Sequence, residues 1–143
     1  MHICRAAFRA LTIPMTKRTW ESTGLEVLRA TDFEGTHLKR EGTYAVCFGA
    51  TWCRPTRGFV PKFVARNGRL PAKLAIADIT DWDDPLWDSF RVKITPTIMV
   101  FRDGTPVDRF DGRRFVGLKD SDLDQLAGLL AKLAGSAPAA SNA

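Results

Sequence analysis

In the segment Trp52-Cys53-Arg54-Pro55-Thr56 a cysteine stands where an uncharged run, Tyr44 to Ala50, gives way to a stretch with helical signals. Position gives that sulfur its chemistry. A cysteine at a helix N-terminus meets free backbone N–H groups and the positive end of the aligned peptide dipoles, and both favour the thiolate, which is the nucleophilic form. Arg54 and Arg57 add positive charge within one turn, and the Thr56 hydroxyl, three residues on, is placed to donate a hydrogen bond to the sulfur. A single thiolate suffices to attack a disulfide and form a mixed disulfide. Taken alone, Cys53 reads equally well as a small buried apolar residue; the flanking Trp and Pro at a strand-to-helix turn favour the reactive reading.

Release of such a mixed disulfide needs a second thiol. An external thiol such as glutathione, a reductase, or another thiol on the client are three sources, and Cys47 is a fourth. Cys47 falls on an expected buried strand, and a Cys47–Cys53 bond would need the two Cα atoms within about 7 Å, so a packed core thiol is its simpler reading. Cys4 has no motif around it. Three cysteines in all cannot make a fully paired framework, which points to a reducing compartment. His2 and His37 are too few and too far apart for a metal site, with His37 read as an exposed helix residue. Asp78, Asp81, Asp83, Asp84 and Asp88 lack the regular alternation and terminal Glu of a calcium loop, and no Gly-rich phosphate loop is present. No metal or cofactor is expected. Trp82 and Trp87 are expected to pack that Asp-rich loop against the core rather than to form a partner-binding rim.

The elements that must hold Cys53 read as an alternation. Leu25 to Arg29 is a strand, Thr31 or Asp32 caps a short helix through Arg40, and Tyr44 to Ala50 is a strand buried on both faces. A helix from Cys53 to Arg66 tolerates Pro55 in its first turn, carries Pro61 as a kink and stops at Asn67-Gly68. Lys73 to Ile79 is the next strand, and Asp84-Pro85 opens a short helix through Phe90. Thr97 to Phe101 and Pro106 to Phe110 make a hairpin across Asp103-Gly104, because Asp-Gly supplies the positive φ that tight hairpin turns need. The last helix, from about Lys119 to Leu133, places Leu123, Leu126, Leu130 and Leu133 on one face. The order βαβαβαββα predicts an α/β domain, a central mixed β-sheet flanked by helices.

Residues 1–21 form a basic leader expected to be poorly ordered, 22–134 the domain, and 135–143 a small, polar tail expected to be disordered. The chain of 143 residues fits one core, and a monomer is expected. Arg5, Arg9, Lys17 and Arg18 supply four of the net five positive charges, so the basicity belongs mostly to the leader and gives no nucleic-acid signature. The longest uncharged stretch, Gly42 to Cys53, is shorter than the roughly 20 apolar residues of a membrane span. Met1 to Pro14 has no secretory apolar run. A cytoplasmic location is expected, with organellar targeting by residues 1–14 left open and Met15 a second plausible start.

With these residues in view the chain resembles the thioredoxin family over about residues 22–134. The resemblance rests on Trp52-Cys53-Arg54-Pro55-Thr56, Pro61 eight residues after Cys53, Thr95-Pro96 ahead of the hairpin, Gly104 eight and Gly112 sixteen residues after Pro96. It implies the thioredoxin fold, a cis Pro96 lying against the active-site sulfur, Thr95 offering backbone hydrogen bonds to an extended substrate, Trp52 shaping the same groove and Gly112 keeping one wall of it low. The departures are specific. Typical members carry Cys-Gly-Pro-Cys, whereas Thr56 stands in place of the second, resolving thiol. Cys47 stands where an acid often assists proton transfer, and Gly49 where an aromatic is common, which is expected to loosen the site or open a small pocket beside Cys53. The implied activity is monothiol thiol-disulfide exchange, reduction or isomerisation, on protein disulfides, with Cys53 as nucleophile and Arg54, Pro55 and Thr56 tuning it. The rival reading is a redox-inactive binding or chaperone module using the same groove. A lone peroxidatic cysteine is disfavoured because peroxiredoxin-type sites place the threonine before the cysteine.

Overall fold

The computed structural model describes residues 19–142, with side chains to Gly135. The leader Met1–Pro14, His2, Cys4 and the alternative start Met15 lie outside the described residues. Seven strands and three α-helices follow: β1 Glu26–Leu28, β2 Phe33–Glu34, β3 His37–Leu38, β4 Thr43–Gly49, α1 Arg54–Ala65, β5 Lys73–Asp78, α2 Leu86–Ser89, β6 Thr97–Arg102, β7 Thr105–Phe110 and α3 Asp120–Asn142. Five strands form one sheet in the order β1-β5-β4-β6-β7, with β1, β5 and β4 parallel and β6 and β7 antiparallel. This mixed sheet flanked by helices is the thioredoxin fold.

Strand β4 sits at the middle because it has no charge to solvate. Its alternate side chains enter two cores: Ala45 and Cys47 face Phe59 and Phe63 of α1 and Leu123, Leu126 and Leu130 of α3, while Tyr44, Val46 and Phe48 face Phe33, Phe90 and Phe101. Covering both faces is what lets a parallel central strand be apolar throughout. The hairpin β6–β7 turns at Asp103, φ 50°, and Gly104, φ 90°. A Cβ on Gly104 would overlap the His37 ring, so the same glycine lets β3 pack on the turn, where the Leu38 N–H donates to the Gly104 carbonyl at 2.9 Å.

The helix expected from Thr31 or Asp32 to Arg40 is absent. A 3-10 turn at Ala30–Asp32 leads instead into the antiparallel pair β2–β3, Phe33 opposite Leu38. Long-range ion pairs decide this: the Arg40 guanidinium spans Glu26 and Asp32, each at 2.8 Å, and the Tyr44 hydroxyl donates to Glu26 at 3.0 Å. Only Phe33 and Leu38 are buried there, too few for a helical stripe, and Gly35 at φ 63° makes the turn. His37 is exposed, on a strand rather than a helix. Two boundaries also move. Trp20, counted with the leader, is buried in the core of α1 and α3 because an indole there removes a large apolar surface from water. Helix α3 runs past Leu133 to Asn142, through most of the segment expected as a disordered tail; its alanines, the residues most favourable to helix, carry it on despite Gly135 and Pro138.

Candidate functional site

The chain leaves β4 through a tight turn in which the Cys53 N–H donates to the Ala50 carbonyl at 3.1 Å, and Cys53 becomes the N-cap of α1. Pro55 fits the first turn because its missing N–H has no intrahelical partner to lose. Cys53 is half-buried, and its Sγ donates to the Thr95 carbonyl at 3.5 Å. Thr95 is buried, and the Thr95–Pro96 peptide is cis. The sulfur therefore rests on the loop that enters β6. That loop is held from behind: the Thr97 hydroxyl donates to the Ile94 carbonyl at 2.7 Å and accepts from the Gly112 N–H at 3.2 Å.

Two glycines permit the close approach. A Cβ on Gly112 would overlap the Pro96 carbonyl oxygen. Gly117, at φ 75°, was not singled out by sequence reasoning, yet a Cβ there would stand 2.9 Å from Pro55 and 3.0 Å from Pro96. It closes a turn with Arg113, whose N–H donates to the Gly117 carbonyl at 3.0 Å. The turn carries Phe115, 91% exposed and at φ 68°, and Val116, also exposed. A bulky residue in the left-handed region is a strained placement. The Phe-Val-Gly run is the signal that could have pointed to it.

Thr56 departs from expectation. It is fully buried and its hydroxyl has no hydrogen-bond partner, so it does not donate to Cys53. Nor is there a loose pocket at Gly49: the Thr56 Cγ2 stands 2.5 Å from where a Gly49 Cβ would be, and the methyl fills the space. Cys47 is sealed in the core, paired across the sheet with Ile76 and Ile98, and burial pushes its thiol far above the ordinary range. Arg54 is exposed at the first helical position, while Arg57 is turned toward the Thr51 carbonyl at 3.2 Å.

Beside the cysteine stand three tryptophans. Trp52 stacks on Trp82 with ring centroids 4.4 Å apart and 17° between planes, and Trp82 and Trp87 lie 6.0 Å apart at 9°. The Trp52 indole N–H donates to the Thr80 carbonyl at 2.7 Å, and the Trp87 N–H to the Ile79 and Asp81 carbonyls. A relay of side chains fixes that loop, the Thr80 hydroxyl donating to Asp78 at 2.6 Å and accepting from the Thr51 N–H at 3.0 Å. Trp82, expected in the core, is 59% exposed. Its stacking partner is a residue of the cysteine motif, not a core side chain. Among the described residues no three metal-ligating side chains come together, and no helix is long and apolar enough to cross a membrane.

Comparison with known proteins places this geometry. The family model described as Thioredoxin matches residues 24–121. Rat mitochondrial thioredoxin is 33% identical over 116 residues, and the match spans 80% of this chain but only 65% of that protein. Among solved structures, Fasciola hepatica thioredoxin superposes with a TM-score of 0.53 at 27% identity, over 64% of this chain and 83% of that one. Chlamydomonas reinhardtii thioredoxin f2 gives 0.58 at 22%, over 72% and 93%, which is likeness of fold alone.

Proposed function

The chain belongs to the thioredoxin family, and from that premise we propose that it carries out thiol-disulfide exchange through Cys53 alone. The observation that carries this reading is a half-buried sulfur at the N-terminus of α1, seated on the Thr95 carbonyl beside a cis proline, with a threonine three residues on where a dithiol site needs its second sulfur. The Cys53 thiolate attacks one sulfur of a client disulfide; the Cys53–client disulfide forms and the other client sulfur leaves as a thiolate. An external thiolate such as that of glutathione then attacks Cys53 Sγ, releasing the client thiol and leaving Cys53 in a disulfide with the external thiol; a second external thiolate attacks that thiol's sulfur, so that Cys53 leaves as its thiolate and the two external thiols become one disulfide. Client disulfide and two external thiols thus become client dithiol and one oxidised pair. Trp52, Thr95, Pro96 and Gly112 form the wall against which an extended client segment lies, and Arg54 places a positive charge beside the leaving sulfur.

Incubation with glutathione disulfide, followed by intact-mass and peptide analysis, tests the reading. A single glutathionyl adduct on Cys53, absent in Cys53→Ser and discharged by reduced glutathione, is the expected result. Failure to form that adduct, with client peptides still bound, overturns it in favour of the binding module, the reading that the exposed Phe115 and Trp82 support. The compartment is a separate question: a reporter fused to residues 1–18 is expected to stay in the cytoplasm, and accumulation in mitochondria, where the rat relative is named to reside, overturns that.

A further inference from the structure

An exposed tryptophan needs a reason to be built so rigidly. Trp82 leaves 59% of its surface in water while one face stacks on Trp52, the residue before Cys53. The stack is held by indole N–H donors fixed to the backbone of residues 79–81. The loop carrying it has five aspartates between residues 78 and 88 and no base. Asp78 is bound to Arg29 at 2.7 Å, and the Asp84 carboxylate accepts from the Leu86 N–H at 2.9 Å. Asp81 and Asp83, on either side of Trp82, are both exposed, and the Asp81 carboxylate accepts the Asp83 N–H at 3.2 Å. Asp81 and Asp83 flank Trp82 in the chain, so an exposed indole and two exposed carboxylates lie within three successive residues, and ring quadrupole and anions attract the same kind of group, a cation.

We propose that the Trp52–Trp82–Trp87 stack, with Asp81 and Asp83, is a docking surface for a disulfide-bearing polypeptide that carries an arginine or lysine close to its reactive cysteine. The surface deepens the exchange reading and rests on it, since the stack adjoins Cys53. The chain's overall positive charge does not cancel the effect. At physiological salt, charges are screened beyond about 8 Å, so groups in direct contact with the client count for most. Arg54 is the exposed cation nearest to the sulfur in sequence, on the α1 side, so the client's positive residue belongs on the Trp82 side.

The test uses three synthetic peptides, alike except for Arg, Gln or Glu two residues from a cysteine that is held as a mixed disulfide with thionitrobenzoate. Attack by Cys53 forms the Cys53–peptide disulfide and releases thionitrobenzoate, which is followed by absorbance. The Arg peptide is expected to react about five- to tenfold faster than the Glu peptide, with Gln between. That ratio is expected to fall toward one in Trp82→Ala and, separately, in the doubly substituted Asp81→Asn/Asp83→Asn chain. The same peptides with Ser for Cys, titrated onto Cys53→Ser by tryptophan fluorescence, read docking without chemistry. Equal rates and equal binding for Arg and Glu peptides overturn the proposal and leave exchange standing. No thionitrobenzoate release, with Arg-selective binding intact, upholds the docking surface and overturns the exchange reading instead.

Discussion

Gly49 and Thr56 share one space: the Thr56 methyl stands 2.5 Å from where a Gly49 side chain would begin, closer than any Cβ contact can be. The last residue of β4 and the first turn of α1 are therefore packed as a pair, and the site is tight where the missing aromatic suggested slack. Gly49→Ala is expected to destabilise the fold by about 1–3 kcal/mol, the ordinary cost of overfilling a closed core. Thr56→Ser, which removes that methyl, is expected to restore most of the loss in the double variant. Urea unfolding of the four chains of this cycle checks it, and strictly additive effects would show that the two residues are independent.

A cysteine at position 56 supplies the sulfur that the resemblance marks as missing. Cys53 is the N-cap of α1 and position 56 lies one turn on, a spacing at which side chains of a helix meet. In Thr56→Cys the Cys53–glutathione adduct is expected not to accumulate, because intramolecular attack runs at an effective concentration of the order of millimolar or above. Mass analysis after brief exposure to glutathione disulfide should show an internal disulfide, two mass units below the reduced chain. A persistent adduct would mean that residue 56 cannot reach the sulfur.

Cys47 offers the converse. It is sealed between Ile76 and Ile98, and burial pushes its thiol so far up that the thiolate is scarce at any physiological pH. Cys47→Ala is expected to leave the lifetime of the Cys53 mixed disulfide unchanged while lowering stability by about 1 kcal/mol through lost packing. A longer-lived adduct in Cys47→Ala would make Cys47 a resolving thiol after all.

These relationships differ in how far they could be read along the chain. The buried strand, the turn at Asp103-Gly104 and the cysteine at a strand-to-helix junction are written in neighbouring residues, so local rules reach them. The hairpin β2–β3 is not, because Arg40 chooses it by reaching back 14 residues to Glu26 and 8 to Asp32. Of the capping signals at Thr31 and Asp32, only Asp32 caps anything, and it caps a 3-10 turn in which its carboxylate accepts the Arg29 N–H at 2.8 Å. Trp82 is exposed because its stacking partner lies thirty residues earlier, and the orphaned Thr56 hydroxyl follows from a side chain that Gly49 does not have. Gly117 was invisible for the same reason: its need for positive φ is local, but its contact with Pro55 and Pro96 is made by the fold.

Asp122 ties the Phe115 turn to α3. Its carboxylate, nearly buried, accepts from the Arg113 guanidinium at 2.6 Å and from the Lys119 N–H at 2.7 Å. Burial alone would raise this carboxyl, but the hydrogen bonds from Arg113 and from the Lys119 backbone outweigh it and hold the group below its ordinary value. A carboxyl depressed in the folded state contributes stability above its unfolded pKa, about 3.9, and loses it as the pH falls through the lower folded value. Asp122→Asn is therefore expected to cost about 1–2 kcal/mol at neutral pH, with Arg113 half exposed and the ion pair discounted accordingly. The difference from the parent should shrink below about pH 4, where the parent loses the same charge. Hydrogen exchange of the amides of residues 113–117 should accelerate in the variant at pH 7 and converge with the parent in acid. A constant difference across the whole pH range would mean that the Asp122 charge contributes nothing and that the turn is held by packing against Pro55 and Pro96 alone.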